Sequence, residues 1–213
     1  MTMARRAHAL HRLGAVLLAP FLLLHLGNHL QALGGVDRHI ALMEALRPFY
    51  REPLLEGLLF AVLLLQAVSG LRRWRLAWRA GGRRRLQAMT GAVLLAFLVI
   101  HVGAVLVARH GLGLDTNFHF AAAGMHVAPF GVFFVPYYAI AVVAVFTHLG
   151  CALAARLGTI APRRARWALR IAIGAGVMVS AAVVAAMLGI PGPYAPPPAY
   201  TAPFTAILPR VSH

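Results

Sequence analysis

The chain has 213 residues, 61% of them hydrophobic, and a mean hydropathy of +0.76. That is too apolar for a soluble domain and reads as an all-helical membrane protein of several spans. Twenty arginines, no lysine and five acidic residues give a formal charge of +15, and the arginines lie between apolar runs, which fits membrane topology rather than nucleic-acid binding. The single cysteine, Cys151, excludes an internal disulfide and a thiolate cluster, and reads as a small buried residue.

In chain order, Arg5, Arg6 and Arg12 precede the first apolar run, as in a signal peptide. The run continues past His25 to about Leu33 without a small-x-small cleavage site, so it reads as a retained helix. Five segments, 13–33, 54–72, 86–108, 130–156 and 167–189, are long enough to span, since about 20 residues cross a bilayer. Pro136 near the start of the fourth is expected to kink it or delay its start. Residues 1–190 therefore form one five-helix domain. Residues 191–209 hold seven prolines and, with the rest of 191–213, read as an extended tail outside the membrane.

Arginine bias sets the expected orientation. The start, the second connection (Arg72, Arg73, Arg75, Arg79, Arg83, Arg84, Arg85) and the fourth (Arg156, Arg163, Arg164, Arg166, Arg170) are basic and free of acids. The first connection sets three arginines against Asp37, Glu44, Glu52 and Glu56, and the third has only Arg109 and Asp115. The N-terminus is thus expected in the cytoplasm and the tail outside, with Trp74 and Trp78 at the inner interface. The arginine run at 72–85 reads as a positive-inside anchor and as a dock for an acidic soluble partner. Ala172, Gly176 and Ser180, four residues apart, favour close packing of the fifth helix on a neighbour.

One stretch occurs twice. Gly14-Ala-Val-Leu-Leu-Ala-Pro-Phe-Leu-Leu-Leu-His25-Leu-Gly27 returns as Gly91-Ala-Val-Leu-Leu-Ala-Phe-Leu-Val-Ile-His101-Val-Gly103, with Pro20 the one extra residue. On parallel helices His25 stands about 18 Å and His101 about 22 Å from the inner ends. Two imidazoles at similar depth can clamp one metal porphyrin from both sides, or can hydrogen-bond between helices. On the antiparallel helices His148 and Gln66 share an inner level, about 22 and 18 Å from the outer ends, where an amide is a poor metal ligand but a good hydrogen-bond partner. His29, one turn beyond His25, is the rival ligand on the first helix. His8, His11, His39, His110, His119, His126 and His213 fall in termini, connections or interfaces, where solvation is the default; His119 and His126 are placed to line an outer pocket.

These residues carry a resemblance. Arg12-Leu13, His25-Leu26 with Asn28-His29, Gln66-Ala67-Val68-Ser69-Gly70-Leu71, Leu86-Gln87-Ala88-Met89-Thr90-Gly91 before His101-Val102, and Phe146-Thr147-His148 before Ile160-Ala161-Pro162-Arg163 follow one another in the order of a known family. The chain resembles the five-helix, two-haem membrane cytochrome b subunit of succinate dehydrogenases and fumarate reductases. The likeness runs from about Arg12 to about Arg170. It implies haem b held by His25 and His101 near the outside, and a second haem between the second-helix histidine and His148. Here Gln66 replaces that histidine, leaving His148 and Gln66 as a degenerate haem site or a quinone site; Ala88 replaces the family's arginine. It further implies iron–sulfur and flavoprotein partners on the cytoplasmic face, and menaquinone or ubiquinone as electron-carrying substrate in a bacterial-type inner membrane. The chain has no dinucleotide fingerprint and no cysteine cluster, so dehydrogenase chemistry would belong to those partners. A haemless anchor of the same fold and a free-standing haem b carrier for another partner fit the same residues.

Overall fold

The computed structural model describes residues 3–190 and 192–208. Eight α-helices follow in order: α1 Met3–Gln31, α2 Val36–Tyr50, α3 Pro53–Arg79, α4 Gly82–Leu106, α5 Phe118–Ala123, α6 Gly131–Leu157, α7 Pro162–Met187 and α8 Pro198–Thr205. A short 3₁₀ turn, Ala32–Gly34, follows α1, and a π-helical turn, Val107–Gly111, closes α4. No strand occurs among the described residues. Five of these helices are long and apolar enough to cross a membrane. Their outer faces present side chains such as Leu23, Leu64, Val99 and Met178 to the surroundings, as lipid contact requires.

Local signals explain the boundaries. Pro53 and Pro162 open α3 and α7 at positions where the missing N–H costs nothing. The Glu52 carboxylate caps α3 by accepting from the Leu55 N–H at 2.9 Å. α3 runs to Arg79, seven residues past the expected end at 72, because Arg, Leu, Ala and Trp sustain a helix into the interface. The basic connection is therefore mostly helix, and its turn is short. Gly81 and Gly82 make that turn with φ of 70° and 51°, left-handed values that favour glycine. Pro136 does not delay α6, which starts at Gly131 and continues through it.

α6 and α7 form the tightest pair, and the small residues are the cause. A Cβ on Gly176 would lie 2.8 Å from the Phe146 Cβ, and one on Gly150 would lie 2.6 Å from the Ala172 Cβ. Ser180 closes the seam by donating to the Ala139 carbonyl at 3.1 Å. Cys151 is fully buried in this seam's helix, as its reading required.

The connections away from the arginines are not bare loops. α2 and α5 form a cap over that end of the bundle, packed on Met187 and Val183 of α7 through the fully buried Phe118. Arg47 and Arg51 donate to Asp115 at 2.9 and 3.3 Å, tying α2 to the segment after α4. Burial would raise the Asp115 carboxyl, but Arg47 and then Arg51 outweigh it and hold it below the usual range. The tail departs from the extended reading. α8 forms within it, the Asn117 amide donates to the Tyr200 hydroxyl at 3.0 Å, and Tyr194 stacks on His119 with planes 8° apart. Aromatic side chains spaced between the prolines give it something to bury.

Candidate functional site

α1 carries His11, His25 and His29. His11 and His25 are separated by about 21 Å along the axis and lie within about 40° of one face, by helix geometry alone. Each meets an imidazole from a different helix, so the bundle holds two levels of paired histidines.

At the first level the His25 and His101 ring centroids are 6.0 Å apart, with planes at 74°. Each ring stacks on a phenylalanine four residues earlier in its own helix: Phe21 at 5.5 Å under His25 and Phe97 at 5.1 Å under His101. α1 and α4 make almost no close backbone contact; α1 leans on α3, and α4 on α3 and α6. The two imidazoles thus come together from helices whose backbones stay apart. A Cβ at Gly27 or Gly103, two residues beyond each histidine, would meet nothing within 4 Å.

From His25 a row of imidazoles leads toward the cap. His29 lies 4.9 Å from His25, His39 lies 5.1 Å from His29, and Phe118 lies 5.2 Å from His39, centroid to centroid. His39 is only 3% exposed, which overturns its reading as a solvated connection residue. Burial, reinforced by His119, pushes it down to about 4, so it is neutral at pH 7. The Asn28 amide donates to His39 Nε2 at 3.3 Å. Asn28 Oδ1, His29 Nδ1 and His39 Nδ1 are buried without a protein partner among the described residues. Each such group costs about 1–3 kcal/mol unless something polar meets it.

This chemistry fits a planar metal macrocycle. Imidazole centroids 6.0 Å apart leave room for one metal ion between the rings, which would bind through a nitrogen of each. Among the described residues no group of three or more His, Cys, Asp or Glu is arranged to hold an ion unaided. The unpartnered polar atoms of Asn28, His29 and His39 beside the pair are the groups that a bound macrocycle would meet.

At the second level His11 and His148 stand 6.3 Å apart with planes at 67°. This corrects the reading of His11 as a solvated terminal residue: α1 begins at Met3, so His11 lies two turns inside a helix packed on α3. His11 Nδ1 donates to the Ser69 hydroxyl at 3.0 Å, which in turn donates to the Gln66 carbonyl at 3.2 Å. The Gln66 amide donates to His11 Nε2 at 3.3 Å. Gln66 therefore touches His11 rather than His148, its expected opposite. His148 Nδ1 donates to the Gln87 carbonyl at 3.1 Å, with the Thr90 hydroxyl 3.2 Å away.

His119 and His126 belong to the cap, where His119 pairs with the Tyr194 hydroxyl at 3.1 Å and His126 donates to the Met187 carbonyl at 2.8 Å. His213 lies outside the described residues. His11 and His39 escaped sequence reasoning, although the spacing of His11 from His25 already put both on one helical face. Comparison with family models, with curated proteins and with solved structures finds no match to this chain.

Proposed function

We propose that this chain is the membrane-anchor cytochrome b-like subunit of a succinate dehydrogenase or fumarate reductase-type complex, holding haem b between His25 and His101 and passing electrons to or from a membrane quinone. The observation that carries the reading is the 6.0 Å approach of two imidazoles from helices that otherwise barely touch. Bound haem would supply one-electron redox chemistry. His25 and His101 hold it, Phe21 and Phe97 fix their ring planes, and the surrounding apolar side chains exclude water. A His29 Nδ1–H, buried without a partner among the described residues, would donate to a carboxylate of the macrocycle or to a quinone carbonyl.

In this reading the arginine-rich end faces the cytoplasm of a bacterial-type inner membrane, an orientation that the charge bias supports. There Arg85 lies over the Trp78 ring at 4.7 Å, leaving a basic face for iron–sulfur and flavoprotein subunits. Menaquinone or ubiquinone is the small-molecule partner in this reading. The test is to add a quinol to the oxidised, detergent-purified protein and to its His25→Ala variant. A b-type α band should appear in the parent and be missing or halved in the variant. A colourless, folded parent would instead leave a haemless anchor, and a haem that no quinol reduces would leave a carrier for another redox partner.

A further inference from the structure

We infer that His11 and His148 form a second bis-imidazole site for an iron porphyrin, at the arginine-rich end of the bundle. The resemblance offers Gln66 opposite His148; the geometry offers another imidazole instead. The centroid distance of 6.3 Å and the interplanar angle of 67° nearly repeat the 6.0 Å and 74° of the His25–His101 pair. Both spacings leave room for one metal ion that would bind an imidazole on either side.

The hydrogen bonds add an independent reason. A metal-binding histidine commonly donates one ring N–H to a fixed acceptor, which sets the tautomer and frees the other nitrogen for the metal. His11 Nδ1 is held by the Ser69 hydroxyl and His148 Nδ1 by the Gln87 carbonyl. With Nδ1 held, Nε2 is the nitrogen each ring would offer a metal; that of His11 is occupied by the Gln66 amide at 3.3 Å. Both rings are also seated on glycine: a Cβ on Gly70 would lie 3.2 Å from His11 Cε1, and one on Gly91 would lie 3.2 Å from His148 Cε1.

Gln66 completes the picture. Its amide caps His11 Nε2 at 3.3 Å, while its Oε1 is buried without a partner among the described residues. Ligation through His11 Nε2 requires this amide to turn away, out of the space beside Gly14, where an added Cβ would lie 2.6 Å from Oε1. Arg73 stands one turn beyond Ser69 on the same face of α3, where a porphyrin carboxylate would find a countercharge. The site needs no contribution from His25 or His101, so it stands or falls apart from the first clamp.

The test is haem per polypeptide, by pyridine haemochrome assay, with low-temperature EPR on detergent-purified parent, His11→Ala, His148→Ala and His101→Ala proteins. The parent is expected to hold two haems. His11→Ala and His148→Ala should each lose the same one of two low-spin signals, and His101→Ala should lose the other. His11→Met guards against misfolding: a thioether still ligates, so one signal should shift while the other stays. Unchanged haem content and an unchanged EPR spectrum in His11→Ala or His11→Met would overturn the site. So would one haem per chain that only His101→Ala removes, or a loss of quinone-analogue binding in His11→Ala without any change in haem. One haem removed by His11→Ala and His148→Ala but kept in His101→Ala would support this site and sink the His25–His101 clamp instead.

Discussion

At the His25–His101 level each imidazole lies on a phenylalanine of its own helix, whereas at the His11–His148 level each is tethered through Nδ1 to a polar group of a neighbouring helix. None of the hydrogen bonds found among the described residues involves His25 or His101. The first level is shaped by stacking within each helix, on helices whose backbones stay apart. The second is shaped by Ser69, Gln87 and Thr90, with the rings pressed onto glycines. One pair geometry is thus reached by two routes. A polar tether raises the basicity of a ligating imidazole and favours the more oxidised metal. The polar level should accordingly have the lower midpoint potential of the two.

The largest effect that would break this comparison comes from the ligands. His25→Ala should abolish the haem of the first level and leave that of the second; loss of both would mean that the levels are not separate sites. Next comes the tether. Ser69→Ala should weaken haem retention at the second level by about 10- to 100-fold, the usual cost of removing an outer partner of a metal ligand. Haem dissociation into apomyoglobin measures this, and an equal effect at both levels would contradict the assignment of Ser69 to His11.

A smaller effect lies in the cap. His39 is held neutral by burial, with a folded value lowered from 6.5 to about 4. A lowered histidine contributes stability that is present above its unfolded value of about 6.5 and is lost as pH falls toward the folded value. Thermal stability should therefore decline between about pH 6.5 and pH 4. His39→Leu should flatten that decline, and a slope left unchanged would show that other groups govern it. The smallest effect is expected at Asp115. Its ion pairs with Arg47 and Arg51 are partly exposed, so Asp115→Asn should cost about 1 kcal/mol or less in chemical denaturation. A much larger loss would mean that the cap holds the bundle together.

The spans were legible because runs of about 20 apolar residues have few other uses. The seam between α6 and α7 was legible too, since Ala172, Gly176 and Ser180 fall on one helical face. The Gly-to-His repeat pointed directly to His25 and His101, and the structure brings them together. His11 was hidden because it follows Arg5 and Arg6, where a histidine reads as part of a basic terminus, and only the packing of α1 on α3 carries it inside. α2 and α5 were hidden for another reason: they are short, amphipathic or both, and their stability comes from Phe118 and Met187 rather than from local pattern. α8 depends likewise on Tyr194 and Tyr200 finding partners 75 and 83 residues away in sequence.

The most direct measurement of the central claim is haem per polypeptide in His101→Ala set beside the parent protein, both purified in detergent and checked for helical content. The account predicts that the variant keeps its helices and contains one haem fewer than the parent. A folded variant with the parent's haem content and spectrum would contradict it.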